Sequence, residues 1–210
     1  MVSVEAMALD NPCWRLARTP IEGWPSPDDF RWQVEGAAEP LAGQVLCETL
    51  YLSLDPYQWN RRRNGTEAPG DICHGRTVSR VVKSRSEQFE EGDVIFNTLG
   101  WQSIGLTGDQ ITDFGYMLPR KLDSRLGPYS YALGALGMLG LTAYAGLIIQ
   151  CQPKAGETVV VSAASGGVGQ LVGQLARIYG ARVVGIAGTQ EKVNYCIDTL
   201  GFDACVLHQA

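Results

Sequence analysis

Three glycines stand close together in the segment AASGGVG, residues 163–169. A valine-rich run precedes this segment and a helical pattern follows it, which is the setting of the G-x-G-x-x-G loop that holds the diphosphate of a dinucleotide. Ala164 takes the first glycine position, and Gly166 and Gly169 take the other two. A glycine-rich turn without a ligand is the alternative, but the surrounding pattern favours a dinucleotide site.

Each residue of this loop has an expected part in the binding of phosphate. Gly166 would let the backbone approach the diphosphate, and Gly169 would let the helix pack close to the strand. The amides of Gly167 and Val168 would point to the phosphates from the N-terminus of the helix, where the helix dipole favours negative charge.

The end of the next predicted strand indicates which dinucleotide binds. Proteins that bind NAD place Asp or Glu there, about twenty residues beyond the glycine loop, to hold the ribose 2′-hydroxyl. This chain has Gly188 at that point, and Lys192 follows shortly after. A lysine attracts the 2′-phosphate that a carboxylate would repel, so we expect NADP(H). The alternative is that Lys192 is an ordinary solvated lysine in the first turn of a helix.

The elements around the loop follow the order strand, helix, strand, helix. Residues 158–163 and 182–188 read as strands buried on both faces of a parallel sheet. A helix lies between them and is expected to stop at Gly180, and residues 190–201 predict a second helix. The apolar face of the first helix would be formed by Val168, Leu171, Val172, Leu175 and Tyr179. This βαβ order predicts an α/β domain built on a doubly wound parallel sheet.

The sequence pattern of the earlier part of the chain is typical of a β-rich domain. Alternating apolar and polar residues predict strands within 30–36, 43–56, 76–85 and 89–101. Short strands separated by turn residues are typical of a small barrel. We therefore divide the chain into a β-barrel domain at residues 1–128 and the first half of a nucleotide-binding domain at residues 129–210.

Charge and hydropathy exclude two classes of protein. The net charge is −5, which argues against a general binder of nucleic acid or of membrane surfaces. The one dense basic run, residues 61–63, is interpreted as a solvated loop. Residues 132–149 carry no charge and would just be long enough to cross a membrane, but they contain four glycines. A buried helix or helix pair between the two domains is the favoured interpretation.

Cysteines and histidines give no sign of a disulfide framework or of a metal site. None of the six cysteines forms a CxxC pair, and no secretory segment is recognised at the N-terminus, so we expect a reducing cytoplasm. The two histidines, His74 and His208, lie in no cluster with metal-ligand spacing. We therefore expect no bound metal.

Three segments carry a resemblance to a known family: LYLSLDPYQ, LGMLGLTAYAGL, and the long stretch at residues 152–204. They resemble the zinc-independent medium-chain dehydrogenase/reductase superfamily, and within it the branch of the prostaglandin reductases (leukotriene B4 dehydrogenases) and plant double-bond reductases. The resemblance implies a GroES-like barrel followed by a Rossmann domain. It also implies NADPH-dependent reduction of the C=C bond of α,β-unsaturated ketones or aldehydes, by a homodimer when the protein is of full length.

The resemblance assigns parts to individual residues. Gly166 to Gly169 would hold the diphosphate, and Lys192 would hold the 2′-phosphate. Thr142 would lie near the carboxamide of the nicotinamide, with Met138 packing beside it. His208 stands where the family has a tyrosine that contacts the 2′-phosphate of the adenosine.

Tyr57, within the DPY of the first segment, would line the substrate pocket as a hydrogen-bond donor, and its catalytic part is implied by the resemblance alone. The alternative is an aromatic at a strand end that fills the rim of the barrel. The chain departs from the family at Gln58, Trp59 and Leu139, where Met, Arg and Pro are usual, which leaves the shape of the pocket open.

The segment beyond the glycine loop is short for a complete nucleotide-binding domain. Such a domain needs about six parallel strands, whereas this sequence supplies two and the start of a third. We expect the chain to be the N-terminal part of a longer protein, and to be inactive and prone to association alone. A quinone reductase of the same superfamily, and a truncated protein that binds nucleotide or a partner without catalysis, are the alternatives to an enone reductase.

Overall fold

The computed structural model describes residues 9–19, 23–111 and 117–208. Contacts between Cα atoms divide the chain into two compact units, Met1–Ser130 and Tyr131–Ala210. We call them the N-terminal unit and the C-terminal unit. In the described residues, no helix has both the length and the apolar character needed to cross a membrane.

The N-terminal unit is built from antiparallel strands. They are β1 (Asp10–Leu16), β2 (Phe30–Gly36), β3 (Gln44–Leu52), β4 (Thr77–Ser84), β5 (Val94–Asn97), β6 (Ile104–Gly108) and β7 (Arg120–Lys121). Strands β1 and β2 pair as a ribbon, and the other five form a sheet in the order β6-β3-β4-β5-β7. Its core includes Val45, Cys47, Val81, Phe89, Ile95 and Leu99. The β-rich character predicted for this part of the chain is confirmed.

One helix interrupts the strands, α1 at Pro56–Arg63. Asp55 stands at its N-cap and Pro56 at its first position, an arrangement that favours the start of a helix. The prediction of a solvated loop at residues 61–63 is wrong, because these arginines form the last turn of α1. The side chain of Arg62 is buried and pairs with Glu67, with 3.2 Å between Nε and Oε2.

The C-terminal unit is a parallel α/β layer. It contains α2 (Met138–Tyr144), β8 (Thr158–Val161), α3 (Gly169–Ile178), β9 (Arg182–Ala187), α4 (Gln190–Asn194) and β10 (Ala204–Leu207). The three strands form one parallel sheet in the order β10-β9-β8. The predicted order of strand, helix, strand and helix is confirmed, and Gly180 ends α3 with a left-handed φ of 80°.

Three interpretations of the C-terminal unit are corrected in detail. The helix predicted at residues 190–201 divides into α4 and a π-helical turn at Tyr195–Thr199. Strand β8 is not buried on both faces as expected, because Val160 on one face is exposed whereas Val161 on the other is buried. The uncharged segment 132–149 is helical as expected, but Leu141 and Ile149 within it are exposed.

The core of the C-terminal unit lies between the sheet and α3. It is formed by Leu147, Val161, Ala164, Ala176, Ala181, Val183, Cys196 and Phe202. Gly173 lies where α3 meets Phe202, and a Cβ at this position would come within 1.9 Å of the phenyl ring. The helix can therefore approach the sheet closely only because this residue has no side chain.

Candidate functional site

Three strand ends of the C-terminal unit lie side by side. Because β8, β9 and β10 are parallel, Val161 stands opposite Gly185, and Leu207 stands opposite Ala187. The glycine loop follows β8, Gly188 follows β9, and the residue after β10 is His208. Ligands of doubly wound sheets bind beyond the carboxyl ends of the strands. The topology thus brings three of the predicted regions to one edge of the sheet.

The glycine loop is a tight turn closed by its own backbone. Ala163 adopts a left-handed φ of 48°, and its carbonyl oxygen accepts a hydrogen bond of 2.8 Å from the amide of Gly166. A Cβ at position 169 would lie 2.3 Å from that oxygen and 3.0 Å from the Cα of Ala164. No side chain fits there, so the close approach of α3 to β8 requires glycine at position 169.

The start of α3 presents a surface suited to phosphate. Gly167 and Val168 come directly before the helix, and Gly166 and Gly167 are exposed. Amides at a helix N-terminus lack partners within the helix and form the positive end of its dipole. A cradle of this shape, with exposed glycines at the N-terminus of a ten-residue helix, fits the diphosphate of a dinucleotide.

The turn after β9 combines open space with a nearby positive charge. A Cβ at position 188 would meet no atom within 4 Å. A carboxylate would therefore fit at this position, although the chain has none. Thr189 caps α4 by accepting a hydrogen bond of 3.3 Å from the amide of Lys192, whose side chain is exposed. Position 188, where a ribose 2′-substituent is recognised in such domains, thus holds no acid, and Glu191 and Lys192 follow in the first turn of α4.

His208 lies next to that turn. Its amide donates a hydrogen bond of 2.8 Å to the carbonyl oxygen of Ala187, the last residue of β9. The residue is exposed and directly follows β10. This backbone bond therefore fixes His208 beside Gly188, at the same edge of the sheet.

Helix α2 carries the residues expected near the nicotinamide. The hydroxyl of exposed Thr142 donates a hydrogen bond of 2.7 Å to the carbonyl oxygen of Met138, so its proton is used within the helix and its lone pairs can accept from an amide group. Leu139 contacts the glycine loop, because a Cβ at position 167 would lie 3.0 Å from its Cδ1. Leu139, which stands where the family usually has proline, therefore packs α2 against the glycine loop.

Tyr57 lies in the first turn of α1, half-buried, and not at a strand end. Its Oη is 2.7 Å from Nε2 of His74, and the two rings meet edge to face with 5.6 Å between centroids. Burial lowers the pKa of His74 to about 4, and the nearby charges of Arg61, Arg62 and Arg76 act in the same direction. His74 is therefore uncharged at neutral pH, and Tyr57 rests against a neutral imidazole.

A buried arginine stands beside this pair. The side chain of Arg76 is fully buried, and its Nη2 donates to Oδ1 of Asp55 at 2.5 Å and to the hydroxyl of Ser53 at 3.3 Å. Its Cζ is 5.9 Å from the centroid of the Tyr57 ring. The bond to Asp55 explains why that carboxylate makes no cap hydrogen bond to α1.

The resemblance to a known family points to Tyr57 but not to the polar groups around it. His74 was considered only as a metal ligand, and Arg76 only as part of a strand. The signal that would have revealed this cluster is the Asp-Pro pair before Tyr57, which favours a helix start and turns Tyr57 back toward β4. Within the described ranges, no group of three His, Cys, Asp or Glu side chains could hold a metal ion.

Comparison with known proteins gives three similar curated relatives. The chain is 43% identical to the NADPH-dependent curcumin reductase of Escherichia coli, over 95% of this chain and 57% of that protein. It is 42% identical to prostaglandin reductase 1 of Mus musculus, over 90% of this chain and 55% of that protein. It is also 42% identical to the 2-alkenal reductase (NADP(+)-dependent) of Nicotiana tabacum, over 77% and 47%. The chain thus spans about half the length of the curated relatives it matches.

A family model and a solved structure agree with these relatives. The model described as the N-terminal domain of oxidoreductase matches residues 12–112, within the N-terminal unit. The crystal structure of CurA from Vibrio vulnificus in complex with NADPH has a TM-score of 0.82 and 38% identity, and covers 95% of this chain and 58% of that one. Over nearly its whole length the chain is therefore similar to reductases of the medium-chain dehydrogenase/reductase superfamily, in the branch that contains the prostaglandin reductases and double-bond reductases.

Proposed function

We propose that this chain forms the substrate-binding domain and the first half of the nucleotide-binding domain of an NADPH-dependent reductase that acts on the C=C bond of α,β-unsaturated ketones or aldehydes. The observation that carries the proposal is the identity of more than two fifths to three reductases, two of which are named for NADPH or NADP(+) and one for 2-alkenals. The cradle at residues 163–169 supports the same cofactor.

The residues at the strand ends would divide the binding of NADPH between them. Gly167 and Val168 would hold the diphosphate through backbone amides, while Gly166 would let the phosphates come close and Gly169 would let α3 pack against β8. Lys192, Gly188 and His208 would surround the 2′-phosphate, since they share one edge of the sheet. Thr142 would accept a hydrogen bond from the carboxamide of the nicotinamide, and Met138 would pack beside it.

Tyr57 is proposed as the donor to the substrate. When bound, NADPH supplies the hydride that adds to the β-carbon of the enone. Negative charge then develops on the carbonyl oxygen, and a fixed hydrogen-bond donor at that oxygen stabilises the transition state. The hydroxyl of Tyr57 would be this donor.

The remaining expectations concern the whole protein. We propose a zinc-independent reductase of the cytoplasm, because its six cysteines are free thiols and form no metal-ligand spacing. The resemblance further supports a homodimer, with small α,β-unsaturated carbonyl compounds as substrates and neither nucleic acid nor membrane as partner. No observation favours a quinone reductase.

Turnover tests the proposed reaction directly. The 210-residue chain and a version joined to the remaining C-terminal part of the Escherichia coli relative are assayed for oxidation of NADPH with 2-hexenal. We expect alkenal-dependent oxidation in the joined protein and product reduced at the C=C bond. A saturated aldehyde is the control. Absence of turnover in both proteins, or reduction of the carbonyl group, would overturn the proposal.

Gly188→Asp tests the choice of cofactor. Because position 188 has room for a side chain, the aspartate should bind the ribose 2′-hydroxyl of NADH and repel the 2′-phosphate of NADPH. We expect the ratio of the two dissociation constants to move toward NADH by at least about tenfold, which corresponds to about 1.4 kcal/mol. Gly146→Ala, at another open glycine of the unit, serves as the control in the same fluorescence titration. An unchanged ratio contradicts this assignment.

A further inference from the structure

The contact between Tyr57 and His74 is supported by a rigid frame. The amide of His74 donates to Oε2 of Glu67 at 3.2 Å, and its carbonyl oxygen accepts from Nη2 of Arg62 at 3.2 Å. Arg62 and Glu67 are themselves buried and paired with each other. Both backbone groups of His74 are therefore held, and Nε2 of its imidazole lies 2.7 Å from Oη of Tyr57.

Three arginines and two acids surround His74. Helix α1 contributes Arg61 and Arg62, and the start of β4 contributes Arg76, while the acids are Asp55 before α1 and Glu67 after it. The three arginines and the burial of the ring oppose its protonation. A neutral imidazole carries one N–H and one acceptor nitrogen, so it can either donate to Tyr57 or accept from it, and never both at the same atom.

The two tautomers have opposite consequences for Tyr57. If Nε2 accepts, the phenol proton of Tyr57 is committed to His74. If Nε2–H donates, the phenol oxygen is held as an acceptor and its proton is directed elsewhere. The second arrangement also makes the phenol a stronger donor, because a hydrogen bond to its oxygen stabilises the charge that builds up there.

We infer that His74 is a positioning residue, whose Nε2–H donates to Oη of Tyr57 and thereby directs the phenol proton to the carbonyl oxygen of the substrate. This inference rests on the proposed function, which makes Tyr57 the donor to the enone. His74 itself touches neither substrate nor cofactor. Burial of the ring, together with the charges of Arg61, Arg62 and Arg76, keeps the imidazole neutral and prevents a second N–H from competing.

Nitrogen NMR of the imidazoles tests the tautomer without substrate or cofactor. The chain contains only two histidines, so a long-range ¹H–¹⁵N spectrum of the ¹⁵N-labelled chain at pH 7 shows two sets of signals, and His74→Gln identifies one of them. We expect neutral His74 with its proton on Nε2. Tyr57→Phe should shift that nitrogen, whereas Tyr51→Phe, at an exposed tyrosine, should not. A proton on Nδ1, or no response to Tyr57→Phe, overturns the inference.

Turnover of the joined protein supplies a second readout. His74→Leu should lower kcat for 2-hexenal roughly tenfold, less than the loss expected when an oxyanion donor itself is removed. His74→Gln, which keeps an N–H in a similar place, should retain most of the activity, and KM for NADPH should be unchanged in both. Equal losses in the two variants overturn the positioning role. If the parent protein fails to reduce 2-hexenal while the Nε2–H tautomer is observed, it is the proposed function that fails.

Discussion

At the scale of single residues, the turn after β9 holds the side chain that should separate the two cofactors. On the proposed assignment, Lys192→Ala would remove one charge-assisted contact to the 2′-phosphate, which is worth about 1.5–3 kcal/mol. We expect weaker binding of NADPH and nearly unchanged binding of NADH in a fluorescence titration.

The matched control for this substitution is Lys154→Ala, at an exposed lysine in the turn before β8. It removes the same charge from the same unit and should change neither affinity. If Lys192→Ala weakens both cofactors equally, Lys192 does not contact the 2′-phosphate.

The buried imidazole of His74 should make stability depend on pH. Its pKa is lowered from an ordinary 6.5 to about 4 in the folded protein, so the unfolded chain binds the proton more tightly. The stabilisation is complete above pH 6.5 and is lost as the pH falls toward 4, by up to about 3 kcal/mol.

Urea denaturation at a series of pH values measures this effect. His74→Gln should lose the part of the pH dependence between pH 6.5 and 4 that the imidazole causes. His208→Gln, at an exposed histidine, is the control and should keep the wild-type slope. Identical slopes for wild type and His74→Gln would contradict the burial argument.

At the scale of elements, the loop between β8 and α3 depends on one position without a side chain. A Cβ at residue 169 would lie 2.3 Å from a backbone oxygen, which cannot move aside as a flexible side chain could. We expect Gly169→Ala to lower the free energy of unfolding by about 1–3 kcal/mol and to weaken NADPH binding, because the cradle must open.

Gly146→Ala provides the comparison, since a Cβ there meets no atom within 4 Å. This helical glycine should tolerate alanine or gain up to about 1 kcal/mol from it. Thermal unfolding of both variants measures the difference. Equal melting temperatures for the two would show that the loop can relax.

The elements that sequence patterns predicted well are those with a regular period. β2, β4 and β9 follow from alternation or from a valine run, and α3 follows from apolar residues at helical spacing. α1 was missed because its eight residues carry no apolar stripe, and the signals of its start are single residues. β1 was missed since its pairing with β2 is a long-range contact that no local pattern contains.

The residues of the candidate site also divide into those that sequence patterns could predict and those that they could not. The glycine loop and the end of β9 could be predicted because backbone geometry dictates residue types at fixed spacing along one βαβ unit. The cluster of Asp55, Tyr57, His74 and Arg76 could not, because it forms only when α1 folds against the start of β4. Its members lie apart along the chain, so their meeting depends on the tertiary fold.

At the scale of the whole molecule, exposed apolar surface should govern behaviour in solution. A groove between α2 and α3 is lined mainly by apolar side chains and glycines, including exposed Leu136, Leu141 and Tyr144. Surfaces of this kind promote association. We expect the 210-residue chain to self-associate. Leu141→Lys should weaken this association and so lower the average particle mass measured by light scattering.

Leu126→Lys is the matched control, because Leu126 is also exposed but lies outside the groove. It adds the same charge and should leave the association unchanged. If both substitutions reduce the mass equally, net charge and not the groove controls association.

The open space at Gly188 has a consequence for how this protein could change over generations. Glycine and aspartate codons differ by a single base, and no neighbouring atom stands within 4 Å to oppose the new side chain. On our assignment, one point mutation would therefore begin to change the preferred coenzyme from NADPH, which serves biosynthesis, to NADH, which serves catabolism, without disturbing the fold. A glycine kept at this position would then reflect selection by the supply of coenzyme in the cell, and not a demand of the backbone.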